Sequence, residues 1–335
     1  MIAKDLRFAV IGCGYWGPKI ARNLDSLPHA AVTMMADTDA NRIASLKLNQ
    51  PWIQATTDAG DIFRSDVDGV VIATPVRTHY KLARAALLHG KHVLVEKPLT
   101  ANVQEAQELV NLAAEHKRIL MVGHTFEYNP GVIELRKLIQ SGDLGRIYSI
   151  EAERLNLGLF RNDINVIWDL APHDVSILLY LLGEKPRDIR VQAHAHVQPH
   201  IHDIAHLDLG FAHGVIAHIH VSWLHPCKIR RVTVIGDARM VVYDDTNPAE
   251  MIKIYNKGAD VHADPVVSYR YGAITIPHID WIEPLHLECA DFANAIRTGT
   301  QPRAHGGVGL EVVKVLAAVQ EVLEDRERQR DAVAV

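Results

Sequence analysis

LRFAVIGCGYWGPKIARNLDSLPHAAVTMMAD, residues 6–37, carries its structural signals in chain order. Phe8-Ala9-Val10-Ile11 is an apolar run with the length of a buried strand. The turn Gly12-Cys13-Gly14-Tyr15-Trp16-Gly17 follows it, and Pro18 to Leu27 reads as a helix. A second strand, Ala31 to Ala36, ends in Asp37, twenty residues after Gly17.

The three glycines of this turn serve different ends. Gly12 permits the tight turn, Gly14 lets the backbone approach a pyrophosphate, and Gly17 lets the helix sit close to the strand. An anion held there meets free N–H groups at the positive end of the helix dipole. Asp37 is placed to accept hydrogen bonds from both adenosine ribose hydroxyls and to repel a 2′-phosphate, so NAD rather than NADP is the cofactor expected. Arg42 is a nearby cation that could hold a 2′-phosphate, the alternative being a solvated helix charge. Tyr15 and Trp16 are candidates for stacking near the cofactor, with packing on a helix face as the alternative. Strand, turn, helix, strand and acid at these spacings define a dinucleotide-binding Rossmann unit.

The 335 residues suggest about two domains, each with enough chain to bury a core. A hydrophobic fraction of 48% and a charged fraction of 22% are those of an ordinary soluble protein. A net charge of -5 gives no electrostatic case for nucleic acid or an anionic membrane as partner, which leaves small molecules. Cys13, Cys227 and Cys289 cannot all pair and show no metal-finger spacing, which points to a reducing compartment. No leader-like segment and no apolar run near the ~20 residues that span a bilayer are apparent, so a cytoplasmic protein is expected.

Further along, a helix from Asp39 to Leu48 is followed by Asp58 as the N-cap of the next helix. Gly69 to Ala73, His92 to Val95 and Ile119 to Val122 read as buried parallel strands, with helices Tyr80 to Leu88 and Val103 to His116 between them. That alternation gives an α/β, doubly wound parallel sheet over residues 1–124. Ligands bind beyond the carboxyl ends of such strands, so Thr74-Pro75 with His79, Glu96-Lys97-Pro98 and Gly123-His124-Thr125 stand at the cofactor edge. From residue 125 the pattern changes to a cap and helix at Asn129-Pro130, one helix near Leu170 to Leu182, and strand-like runs without helices between them. These runs are Ile147 to Glu153, Ile189 to Val197, Ile204 to Phe211, Val215 to Trp223, Arg231 to Ile235 and Met240 to Tyr243. Residues 125–335 are therefore expected to form an α+β domain with a mainly antiparallel open sheet, closed by helices Pro284 to Arg297 and Val308 to Glu324.

Within that half, Trp168-Asp169-Leu170-Ala171-Pro172-His173-Asp174 stands out. Asp169 and His173 are four apart, which puts them on one helix face, and Pro172 fits if it lies in the first turn. A helix N-terminus disfavours an imidazolium at His173 while Asp169 favours it, so the opposing effects suit an acid/base group. On this segment alone, a capping aspartate and a packed histidine remain open.

The glycine turn, Thr74-Pro75 with His79, Glu96-Lys97-Pro98, and Asp169 with His173 together resemble the Gfo/Idh/MocA family of sugar and polyol oxidoreductases. The likeness extends to Glu283-Pro284-Leu285 and Arg297-Thr298-Gly299. It implies that Lys97, Asp169 and His173 form a catalytic set and that the Lys97-Pro98 peptide is cis. It implies that His173 takes a hydroxyl proton as hydride leaves for nicotinamide, that Lys97 stabilises the oxygen, and that Asp169 orients the substrate. It also implies cofactor contacts from Thr74, Pro75, His79, Glu96 and Lys97.

Many members have a glycine-rich approach to the Asp/His pair, whereas this chain has Asn165-Val166-Ile167-Trp168, so Asn165 and Trp168 are assigned to the substrate pocket. The Trp-Asp-Leu-Ala-Pro-His-Asp form resembles the branch acting on nucleotide-linked or amino sugars, often at the 3-hydroxyl. Arg154 and Arg161 suit a diphosphate by bidentate hydrogen bonding, or are solvated surface charges. An inositol or free aldose dehydrogenase of the same family, and a non-catalytic NAD-binding sensor or scaffold, are the alternatives.

Nine histidines lie between His194 and His225. His194 and His196 alternate along one strand and His218 and His220 along another, which reads as a polar sheet face and not a metal site. Family members often associate through this sheet, so a homodimer or homotetramer is expected. If these imidazoles line the interface, assembly weakens between about pH 7 and 5 as they charge.

Overall fold

The computed structural model describes residues 5–261 and 266–333. The chain divides into two units, one running to Tyr128 and resuming over Ile282–Lys314, the other comprising Asn129–Trp281 and the chain from Val315. In the first unit β1 (Leu6–Ile11), α1 (Gly17–Asp25), β2 (Ala30–Ala36), α2 (Ala40–Asn49), β3 (Gln54–Thr56) and α3 (Ala59–Arg64) make one half of the sheet. Its other half is β4 (Gly69–Ile72), α4 (His79–Leu88), β5 (His92–Glu96), α5 (Val103–Glu115) and β6 (Leu120–Gly123). The strands run parallel in the order β3-β2-β1-β4-β5-β6, the doubly wound arrangement expected from the sequence. Short polar side chains start the helices as expected, with Asp39 accepting from Asn41 N and Asp58 from Gly60 N.

In the second unit α6 (Pro130–Gln140) opens on an Asn129 cap and leads to β7 (Ile147–Leu155) and α7 (Val166–Leu182). Strands β8 (Asp188–His194), β9 (Ile204–Gly210), β10 (Ile216–Ser222), β11 (Ile229–Gly236), β12 (Met240–Asp244), β13 (Ile252–Val261) and β14 (Val267–Thr275) follow. They form one sheet in the order β14-β13-β12-β11-β7-β10-β9-β8, antiparallel except between β7 and β10. Burial alternates along the strands: Ile150, Ala152, Ala217, Ile219, Val221, Val232 and Val234 lie on the face that α7 and α6 cover.

Helices α8 (Pro284–Thr298) and α9 (Gly306–Val333) end the chain. The expected second domain of residues 125–335 is therefore not contiguous, because α8 returns to the first unit. There Leu285, Cys289, Phe292 and Ala293 complete the core around Phe8, Val10, Leu24 and Met35, with the rings of Phe8 and Phe292 5.8 Å apart. Three local expectations also change. The hairpin β13-β14 is an addition to the expected strands, since Asn256, Gly258 and Gly272 interrupt its pattern. His196 lies beyond the end of β8, its ring turned to Asp203. Helix α7 begins at Val166, so Pro172 sits inside the helix and not in its first turn. All three cysteines are free. Among the described residues no helix is long and apolar enough to cross a membrane.

Candidate active site

The strand order reverses between β1 and β4, and the glycine turn lies at the carboxyl end of β1. Gly12 has φ +101°, and a Cβ there would sit 2.4 Å from the Ala73 carbonyl oxygen. A Cβ on Gly17 would be 1.8 Å from the Gly12 oxygen, so α1 can approach the turn only with glycine at this position. At Gly14, by contrast, the one atom within 4 Å of such a Cβ is Arg42 Nη1 at 3.7 Å, which leaves space beside the backbone. No side chain caps α1, and Pro18 occupies its first turn. An open backbone beside an uncapped helix N-terminus fits a pyrophosphate.

Asp37 is buried beside this turn. Its Oδ2 accepts from Cys13 N at 2.7 Å and Arg42 Nη1 at 3.2 Å, and its Oδ1 from Asp39 N at 2.9 Å. Burial would raise its pKa, but the two N–H donors and Arg42 outweigh that and hold it below the ordinary carboxylate value. An ionised carboxylate with lone pairs to spare suits ribose hydroxyls. Arg42 also lies 3.6 Å from Asp39, so a 2′-phosphate would have to compete with two carboxylates for this guanidinium. Tyr15 and Trp16 are exposed, their rings 5.2 Å apart and edge-on, beside Lys19 of α1. Lys19 Nζ stands 3.4 Å from the Tyr15 ring centre and 5.1 Å from that of Trp16.

After β4, Thr74 Oγ1 bonds Thr78 Oγ1, and exposed Pro75 opens the turn into α4. His79 corrects an expectation: it is only 1% exposed and is not presented to a dinucleotide. Its Nδ1 lies 2.9 Å from the Pro98 oxygen and its Nε2 2.8 Å from the Thr74 oxygen, so it ties two edge segments together. Burial keeps this imidazole below its ordinary pKa against the pull of both carbonyls. Beyond β5, Lys97 is half-buried and the Lys97-Pro98 peptide is cis, as the resemblance implied. Glu96 packs over Gly123, whose Cβ would lie 3.3 Å from Glu96 Oε2. Burial pushes the Glu96 carboxyl up to about 7 although Lys97 opposes the rise. His124 is fully buried and pulled down to about 3 by burial and by the Lys97 charge. Glu288, from α8, is also fully buried and raised well above the ordinary value by burial and by Glu96.

In the second unit α7 carries the Asp/His pair. Asn165 caps it, accepting from Trp168 N at 3.1 Å, while its Nδ2 donates to Gln320 Oε1 at 3.1 Å. Asn165 thus serves as the helix cap, and half-buried Trp168 lies in the first turn it caps. Asp169 Oδ2 accepts the indole N–H of Trp223 at 3.0 Å, and its Oδ1 lies 3.9 Å from Arg161 Nη1. Arg161 also forms a two-point pair with Asp163 at 3.0 Å each. With α7 starting at Val166, His173 is in its third turn, and the dipole expected to act on it is weakened.

Arg154 is the second correction. It shares the covered face of β7 with Ile150 and Ala152, is buried, and donates through Nε and Nη2 to both oxygens of buried Asp174 at 2.9 Å. That engagement removes it from the surface where a diphosphate would be met. The alternation Ile150, Ala152, Arg154 already places it on the covered face. In the second unit Trp223, Asp163 and Asp174 stand beside the Asp/His helix, and in the first unit Glu288 stands beside Glu96, without a sequence signal, since their partners are distant in sequence or carry no local motif. Among the described residues no group of three or more histidine, cysteine, aspartate or glutamate side chains could hold a metal ion.

A model of an oxidoreductase family with an NAD-binding Rossmann fold matches residues 6–124, and a model of the GFO/IDH/MocA C-terminal domain matches residues 132–242. The chain is 30% identical over 323 residues to UDP-N-acetylglucosamine 3-dehydrogenase of Acidithiobacillus ferrooxidans, covering 95% of this chain and 97% of that one. The solved structure of that enzyme, GnnA, superposes with a TM-score of 0.81 at 29% identity over 96% of this chain and 98% of its own. Inositol 2-dehydrogenase of Rhodococcus erythropolis is 32% identical over 193 residues, 56% of each chain. GenD2 from gentamicin A biosynthesis, solved in complex with NAD, shares the fold with a TM-score of 0.82 at 24% identity, over 97% of this chain and 96% of its own. The chain belongs to the Gfo/Idh/MocA family of NAD-binding oxidoreductases.

Proposed function

We propose that this oxidoreductase acts on the 3-hydroxyl, or in reverse the 3-ketone, of a nucleotide-linked amino sugar. The observation that carries this reading is the 30% identity to a UDP-N-acetylglucosamine 3-dehydrogenase over nearly the whole of both chains. Gly12, Gly14 and Gly17 with the α1 N-terminus would hold the pyrophosphate, and Asp37 the adenosine ribose. When bound, NAD supplies the hydride acceptor. His173 takes the proton of the sugar hydroxyl, because the oxygen cannot become a carbonyl while it keeps that proton. Lys97 steadies the negative charge that builds on the oxygen, and Asp169 orients the hydroxyl and supports the imidazolium.

With Arg154 engaged at Asp174, the diphosphate reading keeps only Arg161 of the two expected arginines. The substrate class therefore rests on the relative. Assembly as a homodimer or homotetramer through the open face of the second sheet is part of the same proposal.

The test is thermal denaturation with NAD and NADP, then with UDP-N-acetylglucosamine, free N-acetylglucosamine and inositol added to the better cofactor, followed by NADH absorbance. Ligands that bind only the folded state raise its melting temperature. A shift and NADH production with the UDP-sugar alone are expected. Turnover of inositol without turnover of any nucleotide sugar would overturn the substrate class, and an NAD shift without turnover of any sugar would favour a non-catalytic NAD-binding role.

A further inference from the structure

We propose that Trp223 is a positioning residue for this reaction and acts by fixing the carboxylate plane of Asp169; this rests on the reading of Asp169 as part of the catalytic set. An aspartate carboxyl turns freely about its last bond, with a broad two-fold preference. Here one of its oxygens meets an indole N–H at 3.0 Å. An indole nitrogen only donates, and a buried one normally finds an acceptor, so this contact has a fixed polarity.

The backbone of Trp223 is pinned by two hydrogen bonds, and its buried ring has Phe160 and the Gly158 segment beside it. Trp223 is 2% exposed and follows directly on β10. Its backbone N–H donates to the Asp203 oxygen at 2.9 Å, and its own oxygen accepts from Gly158 N at 2.9 Å. The Phe160 ring meets it edge-on at 5.9 Å between centres. A Cβ on Gly158 would lie 3.4 Å from indole Cδ1, so the loop between β7 and α7 runs close across the ring. The N–H direction is therefore set by the sheet and the loop, not by Asp169.

The two carboxylate oxygens consequently differ. Oδ2 faces a rigid neutral donor, while Oδ1 faces the Arg161 guanidinium at the longer distance of 3.9 Å. Arg161 is itself aligned by Asp163, whose two oxygens take its Nε and Nη2. An aspartate held in this way presents one defined oxygen on the helix face that it shares with His173.

Trp223→Phe keeps an aromatic ring and removes the donor. Loss of a neutral-to-charged hydrogen bond corresponds to roughly 10- to 100-fold, and that loss should fall on kcat, with KM for the sugar nearly unchanged and the NAD-induced thermal shift intact. In an Asp169→Asn background the same substitution should lower kcat less than about twofold, because the residue it acts through has gone. A W223F enzyme with normal kcat, or one that loses as much in the D169N background as alone, would overturn the inference and leave only packing for the indole. Full activity in D169N would instead remove the reading of Asp169 itself. If W223F does not fold, the five tryptophans give a second test: one indole N–H resonance must move in D169N, and an unmoved indole spectrum would overturn the inference.

Discussion

Replacing Glu96 by glutamine should make the protein more stable than the wild type, by an amount that grows with pH. The carboxyl ordinarily titrates at 4.5 and is held at about 7 here, burial being the main cause and Lys97 the opposing one. The residue as a whole keeps some surface, but its carboxyl end packs against Gly123, so its displacement of about 2.5 pH units is taken as an upper bound. At about 1.36 kcal/mol per pH unit that bound is about 3 kcal/mol. Below pH 4.5 the group is protonated in the folded and the unfolded chain, and its neutral form contributes its full stability. Between 4.5 and 7 the unfolded chain releases the proton while the folded chain keeps it, so wild-type stability falls as pH rises through this window. Glutamine stays neutral throughout. Urea midpoints of wild type and E96Q, followed by tryptophan fluorescence from pH 5 to 8.5, should diverge steadily up to about pH 7 and then run parallel. A constant gap across the range would show that the folded Glu96 carboxyl titrates as an ordinary exposed one.

Arg154→Ala should destabilise the protein by about 3–5 kcal/mol, since it strands the buried carboxylate of Asp174, and a lowered melting temperature is the check. A raised sugar KM at unchanged stability would instead restore Arg154 as a substrate contact. Lys97→Ala should lower kcat by roughly 10²-fold or more while the thermal shift with NAD persists; near-normal turnover would remove its assigned chemistry. His220 is pulled down to about 4 by burial and by His206, whose ring stacks on it 4.0 Å away; Glu153 opposes this fall and His225 adds to it. It therefore stays neutral between pH 7 and 5, and any weakening of assembly that depends on it should appear only below about pH 5. Light scattering across pH 7 to 4 reads this directly, and dissociation complete by pH 6 would exclude His220 as its cause.

What could be read from the sequence follows from how far each constraint reaches along the chain. Gly12 and Gly17 are forced by backbone atoms within or beside their own turn, and Asp39, Asp58, Asn129 and Asn165 each bond an N–H two or three residues on. Such local features leave a spacing that can be recognised. Pro172 points to a later start for α7 than the true one, because proline is ordinarily a first-turn residue. The helix accepts it further in, where burial of Val166, Ile167, Ala171, Val175 and Leu178 offsets one missing backbone bond. The pairings Arg154 with Asp174 and Asp169 with Trp223 join residues 20 and 54 positions apart, and no local pattern announces them. His79 stands at the expected edge but with a different role, since only the fold shows both of its nitrogens facing carbonyls.

The second unit also explains how a proline-containing helix can hold Asp169 and His173, the proposed acid/base pair, in register. Arg154 lies on β7 and Trp223 directly follows β10, and these strands are neighbours, with Arg154 opposite Val221. Both side chains reach α7, one grasping Asp174 and the other Asp169, so the segment that contains Pro172 and His173 is tied to the sheet at both ends. The rigidity that Pro172 takes from the helix backbone is returned by these two lateral ties. A site mounted on such an element keeps its geometry better than one carried on a loop. The same ties make it vulnerable in a particular way: loosening Asp174 should disturb His173, the adjacent residue, so Asp174→Asn, which keeps the shape of the side chain but removes the charge facing Arg154, should lower the melting temperature and reduce kcat while leaving NAD binding in place. If D174N lowered NAD affinity and spared kcat, the ties would have to be regarded as stabilising the fold without positioning the pair.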